Sequence, residues 1–270
     1  MPIHPSSKNA RKLNFNRSFF LDSSSLKEVE KWNSTGIIDG VTTNQSIMLK
    51  DGLTLKQLKP TIQSICKIMK GKPVSIELSD SKATFEEMVS EAKKYRELAS
   101  NVVVKVPMIP SDTKSLAVIK KLGDLKIPVN VTAMMTFEQL LLAVSALRNH
   151  PFPSFVSLFW ARSIEDHERY RGAETFVKGH DIMGPESKVN SHPAKIVFAI
   201  EEYLKAGGYD NPKLIVGSIR NVSQVGESFA SGANIVTVSP AILEAMQFSQ
   251  RTLETNADFD KSWVALKQKS

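Results

Sequence analysis

An alternation constrains this chain more than any other feature. Eight short runs rich in β-branched and aromatic residues recur between positions 18 and 238, separated by stretches with helical periodicity. The runs are 18–22 (SFFLD), 37–42 (IIDGVT), 72–78 (KPVSIEL), 101–107 (NVVVKVP), 127–132 (IPVNVT), 155–159 (FVSLF), 213–217 (KLIVG) and 234–238 (NIVTV). β-Branched residues suit the pleat, and Pro107 closes its run because it cannot donate to a continuing ladder. Between the runs, Phe85, Met88, Val89, Ala92, Tyr95, Leu98 and Ala99 follow the 3.6-residue period of a helix with one buried face. Ser25 with Glu28, and Thr136 with Gln139, have capping-box spacing. Gly36, Gly71 and the Gly207-Gly208 pair follow helical stretches as stops.

Strand–helix alternation with no linker, internal repeat or break in composition predicts a single (β/α)8 TIM barrel over residues 18–270. A doubly wound open sheet is the alternative fold. Against it, Asp22-Ser23-Ser24-Ser25 stands where that fold has its Gly-rich phosphate turn. Two segments fall outside the barrel pattern. Residues 1–17 carry Lys8, Arg11, Lys12 and Arg17 without an acid and read as a flexible basic arm. Residues 163–190 are dense in charge and turn formers and read as a long loop excursion, with at most one helical turn.

Bulk properties narrow the function classes. Cys66 is the only cysteine, which excludes an internal disulfide and predicts a reducing, cytoplasmic setting. No run of eighteen apolar residues predicts a membrane span, and the N-terminus lacks the apolar core of a secretory signal. The net charge of +7 favours anionic ligands, sugar phosphates as well as nucleic acid. For nucleic acid the pattern is wrong: lysines are spread among acids, without interleaved aromatics. A metal site would have to draw on Asp166, His167, Glu168, His180, Asp181 and His192, whose spacing matches no ligand motif such as HExxH. Neither metal nor cofactor is expected. A homo-oligomer stays open.

In a barrel of this kind the C-terminal ends of the strands converge on one site. Asp22, Asn44, Glu77, Lys105, Asn130, Thr132, Ser157, Ser218 and Arg220 stand at or just beyond those ends. An ammonium among valines is disfavoured relative to the free amine, and a free amine is a nucleophile. With two carboxylates, hydroxyls and amides around it, Lys105 suits attack on a ketone, with imine formation, carbon–carbon cleavage and proton transfer. Each residue also has an ordinary explanation. Lys105 would snorkel into water, Asp22 would cap the first helix, and Asn44 would serve a turn. Glu77 would pair on the surface with Lys72, and Thr132 would be one more β-branched strand residue. Their shared level, strand after strand, favours a site.

Four stretches, Phe20-Leu21-Asp22, Ile38-Asp39-Gly40-Val41-Thr42-Thr43-Asn44, Val104-Lys105-Val106-Pro107 and Asn130-Val131-Thr132, resemble the transaldolase family, which includes the fructose-6-phosphate aldolases. The Asp-Gly-Val-Thr-Thr-Asn stretch is the most specific, and the resemblance runs from about Phe19 to Met246. It implies a class I, Schiff-base-forming enzyme with its lysine on the fourth strand, where Lys105 lies. It further implies Asp22 as acid/base on the cleaved hydroxyl, and Glu77 and Thr132 around the proton-shuttling water. Asn44, Asn130 and Ser157 would bind the dihydroxyacetone unit, with Phe159 beside them, and Arg162, Ser218 and Arg220 would bind phosphate.

The implied reaction transfers a dihydroxyacetone unit from a ketose phosphate, such as sedoheptulose 7-phosphate or fructose 6-phosphate, to an aldose phosphate, as in the pentose phosphate pathway. Glu77 and Phe159 resemble transaldolases proper, since the aldolase branch usually has glutamine and tyrosine there. Free aldol cleavage, or transfer with an unusual sugar in a biosynthetic pathway, is the alternative. The chain also departs from the family: Gln45 replaces a proline, and Trp160 and Ala161 stand in a differently composed stretch before Arg162. These changes are expected to alter the pocket and the sugar it accepts.

Overall fold

The computed structural model describes residues 15–110, 112–170 and 192–269. Eight parallel strands close into a barrel in sequence order: β1 (Ser18–Asp22), β2 (Ile38–Thr42), β3 (Val74–Glu77), β4 (Val102–Pro107), β5 (Val129–Met134), β6 (Phe155–Phe159), β7 (Lys213–Gly217) and β8 (Ile235–Val238). β1 pairs with both β2 and β8, which excludes an open sheet. The helices are α1 (Leu26–Ser34), α2 (Gln45–Lys50), α3 (Leu55–Met69), α4 (Phe85–Arg96), α5 (Lys114–Asp124), α6 (Phe137–Ala146), α7 (Trp160–Tyr170), α8 (Pro193–Ala206), α9 (Val222–Ala230), α10 (Pro240–Gln247) and α11 (Gln250–Lys267). No helix among the described residues is long and apolar enough to cross a membrane.

The strands read as near-continuous apolar runs because both faces are covered. Outward residues such as Leu21, Val41, Ile76, Val104 and Val131 pack against the helices in one large cluster. Inward, Phe20, Val103, Phe155, Ile215 and Ile235 form a second cluster that fills the barrel's lower half. Phe15 joins it, so the last residues of the stretch expected to be an arm are packed structure. Its ring meets Phe20 and Phe155 edge-on, with centroids 5.7 and 5.4 Å away, while Arg17 donates to the Phe229 carbonyl. Gly40 belongs to the same layer. A Cβ there would come within 2.5 Å of the Phe20 ring, so the Asp-Gly-Val-Thr-Thr-Asn stretch needs glycine where the large ring crosses the barrel.

Three elements differ from expectation. Asn44 starts an extra short helix, α2, by accepting from the Ile47 N–H. Residues 163–170, expected within the excursion, continue α7, which begins directly after the last residue of β6; positions 171–190 of that segment, His180 and Asp181 among them, lie outside the described residues. At the chain's end, where the sequence suggests helices near 240–251 and 259–267, the break falls earlier, between α10 and α11. The 18-residue α11 contains neither glycine nor proline and buries no side chain, leaving Leu253, Phe259, Trp263, Val264 and Leu266 exposed.

Candidate active site

Strand alternation builds the site directly above the apolar layer. Two residues beyond Phe20, Val103, Phe155, Ile215 and Ile235 come Asp22, Lys105, Ser157, Gly217 and Thr237, which the period of two turns to the same inner side. All five line one cavity of about 210 Å³. Registry sets their neighbours. Glu77 pairs with Lys105 across β3 and β4, Lys105 with Asn130 across β4 and β5, and Asp22 with Thr42 across β1 and β2.

Lys105 is only 4% exposed. Its Nζ lies 3.0 Å from Glu77 Oε2 and donates to the Thr43 carbonyl at 3.0 Å. The valine-rich strand suggested apolar surroundings. Those valines pack in the cores below and outside the barrel, whereas the amine itself meets a carboxylate and a carbonyl. Asn130 is fully buried and doubly tied: Ser157 Oγ donates to its Oδ1 at 2.7 Å, and its Nδ2 donates to Ser75 Oγ at 3.3 Å. Thr132 Oγ1 is buried, belongs to a residue lining the cavity and has no hydrogen-bond partner among the described residues.

Asp22 accepts from Thr42 Oγ1 at 2.6 Å. Thr42 Oγ1 also lies 2.6 Å from Thr237 Oγ1. A hydroxyl has one hydrogen, so while Thr42 donates to Asp22 it must accept from Thr237. This chain closes the barrel across β1, β2 and β8. Burial pushes the Asp22 carboxyl above the usual carboxylate range; the Lys105 charge and the Thr42 bond oppose that rise, and Glu77 and Asp51 add to it.

The ordinary explanations fare unevenly. Asp22 does not cap α1: Ser25 does, and Asp51 receives Ser23 and Ser24. Glu77 does not pair with Lys72, whose Nζ donates to the Ile38 carbonyl at 2.6 Å and to Asn33 at 3.3 Å. Asn44 serves both purposes, capping α2 while lining the cavity. Thr132, Phe159, Arg162 and Ser218 also line it, while Glu77 and Asn130 reach it only through Lys105 and Ser157. Ser218 takes a left-handed φ of 58°, unusual for a residue with a side chain.

Arg220 is the outlier. It lines an adjoining cavity of about 320 Å³ with Met135, Arg162, Glu165 and Asp166, and its guanidinium is ion-paired with Glu165. Arg162 belongs to both cavities and lies over the Phe159 ring, 5.8 Å from its centroid. Gln45 and Trp160, expected to alter the pocket, do not line it. Gln45 donates to the Leu78 carbonyl, and Trp160 is fully buried against His192. Sequence reasoning missed Thr42, Thr237, Ser46 and Lys50 as cavity residues. Thr42 was at least visible inside the specific Asp-Gly-Val-Thr-Thr-Asn stretch; Thr237 looked like an ordinary strand residue.

His167 and His192 stack edge to face, with centroids 5.9 Å apart. Among the described residues no group of three or more His, Cys, Asp or Glu side chains is gathered to hold a metal ion.

A family model described as Transaldolase/Fructose-6-phosphate aldolase matches residues 19–269. A probable transaldolase of Nitrosopumilus maritimus (strain SCM1) is 31% identical over 248 residues, covering 92% of this chain and 95% of that protein. One from Methanococcus vannielii is 30% identical over 228 residues, covering 84% and 88%. Among solved structures, the dihydrodipicolinate synthase of Rhodopseudomonas palustris superposes with a TM-score of 0.54 at 11% identity, over 92% of this chain and 80% of that one, a likeness of fold alone. Since the family model spans nearly the whole barrel, the chain belongs to the transaldolase/fructose-6-phosphate aldolase family.

Proposed function

We propose that this protein is a transaldolase that moves a dihydroxyacetone unit from a ketose phosphate to an aldose phosphate through a Schiff base on Lys105. The buried Lys105–Glu77 contact at 3.0 Å carries this reading, because it gives the amine a proton acceptor directly behind the cavity. Glu77 takes one proton from Nζ, the free amine attacks the ketose C2, and the second proton it sheds reaches the C2 oxygen through a water held with the Thr132 hydroxyl. The proton held by Glu77 then passes to the C2 hydroxyl, so that water leaves and the iminium forms. Asp22 then takes the proton of the C4 hydroxyl, the C3–C4 bond breaks, and its electrons flow into the iminium as an aldose departs. The enamine left on Lys105 adds to the acceptor aldehyde, Asp22 returns its proton to the new hydroxyl, and water releases the product ketose from Lys105. A carboxyl raised by burial suits a group that must both take and give back a proton.

Asn44, Asn130 and Ser157 hold the hydroxyls of the dihydroxyacetone unit, and Arg162, Ser218 and Arg220 hold phosphate. Arg220 must leave Glu165 to do so. Phe159 offers no hydroxyl to order a water against the enamine, so transfer is favoured over cleavage. No cofactor enters this sequence.

Borohydride reduction in the presence of fructose 6-phosphate tests the proposal. A dihydroxyacetone adduct on Lys105, located by peptide mass spectrometry and absent from Lys105→Ala, is the expected result. An adduct on another lysine, or none, overturns it.

A further inference from the structure

α2 carries two side chains into the catalytic cavity that the proposed chemistry leaves unused. Ser46 and Lys50 are four residues apart, hence on one face of the helix, and both line the cavity that contains Lys105. Lys50 makes no ion pair among the described residues. The same holds for Arg162, whose guanidinium only lies over the Phe159 ring. Arg220 stands differently. It is neutralised by Glu165 in the adjoining cavity, where Asp166 offsets Arg162 as well. That second cavity balances two guanidiniums against two carboxylates. In the catalytic cavity Lys105 is already ion-paired with Glu77, and Asp22 is the remaining carboxylate of the lining. Beside the reacting amine, Lys50 is therefore the cation of this lining that has no ion-paired carboxylate among the described residues and no part in the adjoining cavity.

We propose that Lys50, with the Ser46 hydroxyl beside it, is an anion-binding residue of this site and acts with Arg162 to hold the substrate's phosphate. The proposal rests on the sugar-phosphate reading above and adds a grip from α2 that the resemblance does not supply. An ammonium is a point charge with three donors and suits a phosphate of variable orientation, whereas the forked Arg162 guanidinium fixes the phosphate plane. Held between the end of α2 and α7, the phosphate would have a cation on each helix.

Direct titration with inorganic phosphate, followed by calorimetry on the full chain, tests this without relying on turnover. Lys50→Ala is expected to weaken phosphate binding about tenfold or more, the scale of one charge-assisted contact, and Lys50→Arg to restore most of it. With fructose 6-phosphate as donor, Lys50→Ala should raise KM by a larger factor than with unphosphorylated fructose, and kcat should fall less than KM rises. Unchanged phosphate affinity in Lys50→Ala, no measurable phosphate binding by the unaltered protein, or equal KM changes for the two donors each overturn the proposal. Failure to trap an adduct on Lys105 would overturn the aldolase reading instead, while the phosphate titration still decides the role of Lys50.

Discussion

Glu77 and Lys105 stand opposite each other across the β3–β4 ladder, and their side chains meet at 3.0 Å in a site where they are 14% and 5% exposed. Two charges taken so far from water depend on one another. Removing one partner of a buried pair typically costs 3–5 kcal/mol, because the other charge is left without compensation. Lys105→Met should therefore destabilise the barrel by roughly that amount, and adding Glu77→Gln should recover a good part of it. Urea denaturation of the three variants checks this. Additive losses would mean that the pair contributes no mutual support.

Asp22 links chemistry to pH. Its carboxyl is raised by burial, so the folded state holds its proton more tightly than the unfolded chain does. Stability from this group is complete below the unfolded carboxylate range and is lost as pH rises through the raised folded value. Asp22→Asn should thus match the parent protein in acid and melt at a higher temperature near neutrality. In the same variant kcat should fall by about 10²–10⁴, the usual worth of a positioned general acid/base, while imine trapping on Lys105 persists. A melting difference that grows on acidification, or a loss of trapping, would contradict this assignment.

Arg220 and Glu165 set a competition at the neighbouring cavity. If Arg220 holds phosphate as proposed, it does so only by displacing the carboxylate, and the pair would then weaken the binding of a phosphorylated substrate. Glu165→Gln should lower KM for fructose 6-phosphate several-fold, and Arg220→Ala should raise it more than it raises KM for unphosphorylated fructose. Both positions are about half exposed, so folding should be little affected. Equal shifts for the two sugars would remove Arg220 from phosphate binding.

Much of this site was legible because barrel geometry converts sequence position into spatial level. Once Lys105 is placed at the end of the fourth strand, Asp22, Glu77, Thr132 and Ser157 follow at the ends of theirs, without knowledge of any contact. What one strand cannot reveal is registry. That Lys105 meets Glu77 rather than a valine depends on how β3 slides against β4, and Val102–Val104 gave no sign of it. The Thr237–Thr42–Asp22 relay was equally hidden, since Thr42 and Thr237 are 195 positions apart and meet only because the barrel closes. The start of α7 was masked for another reason. Arg162, Glu165, Asp166, His167 and Glu168 look like a solvated loop, yet Ala161 and Ser163 are buried and seat the helix against the barrel.

On the proposed mechanism, Phe159 would decide what becomes of the enamine. The residue ends β6, lines the catalytic cavity and lies under the Arg162 guanidinium, so it forms an apolar wall close to Lys105. An enamine awaiting an acceptor aldehyde is lost if a water is held where it can protonate the carbanionic carbon. Phenylalanine has no group to hold that water; tyrosine would add one hydroxyl at the ring's far end. Phe159→Tyr should raise release of free dihydroxyacetone from fructose 6-phosphate relative to transfer onto erythrose 4-phosphate, by about tenfold if the new hydroxyl supplies one well-placed hydrogen bond worth about 1.4 kcal/mol. Product ratios measured over a range of acceptor concentrations check the effect. A partition that stays constant while both rates change would show that Phe159 shapes the cavity without governing the fate of the enamine.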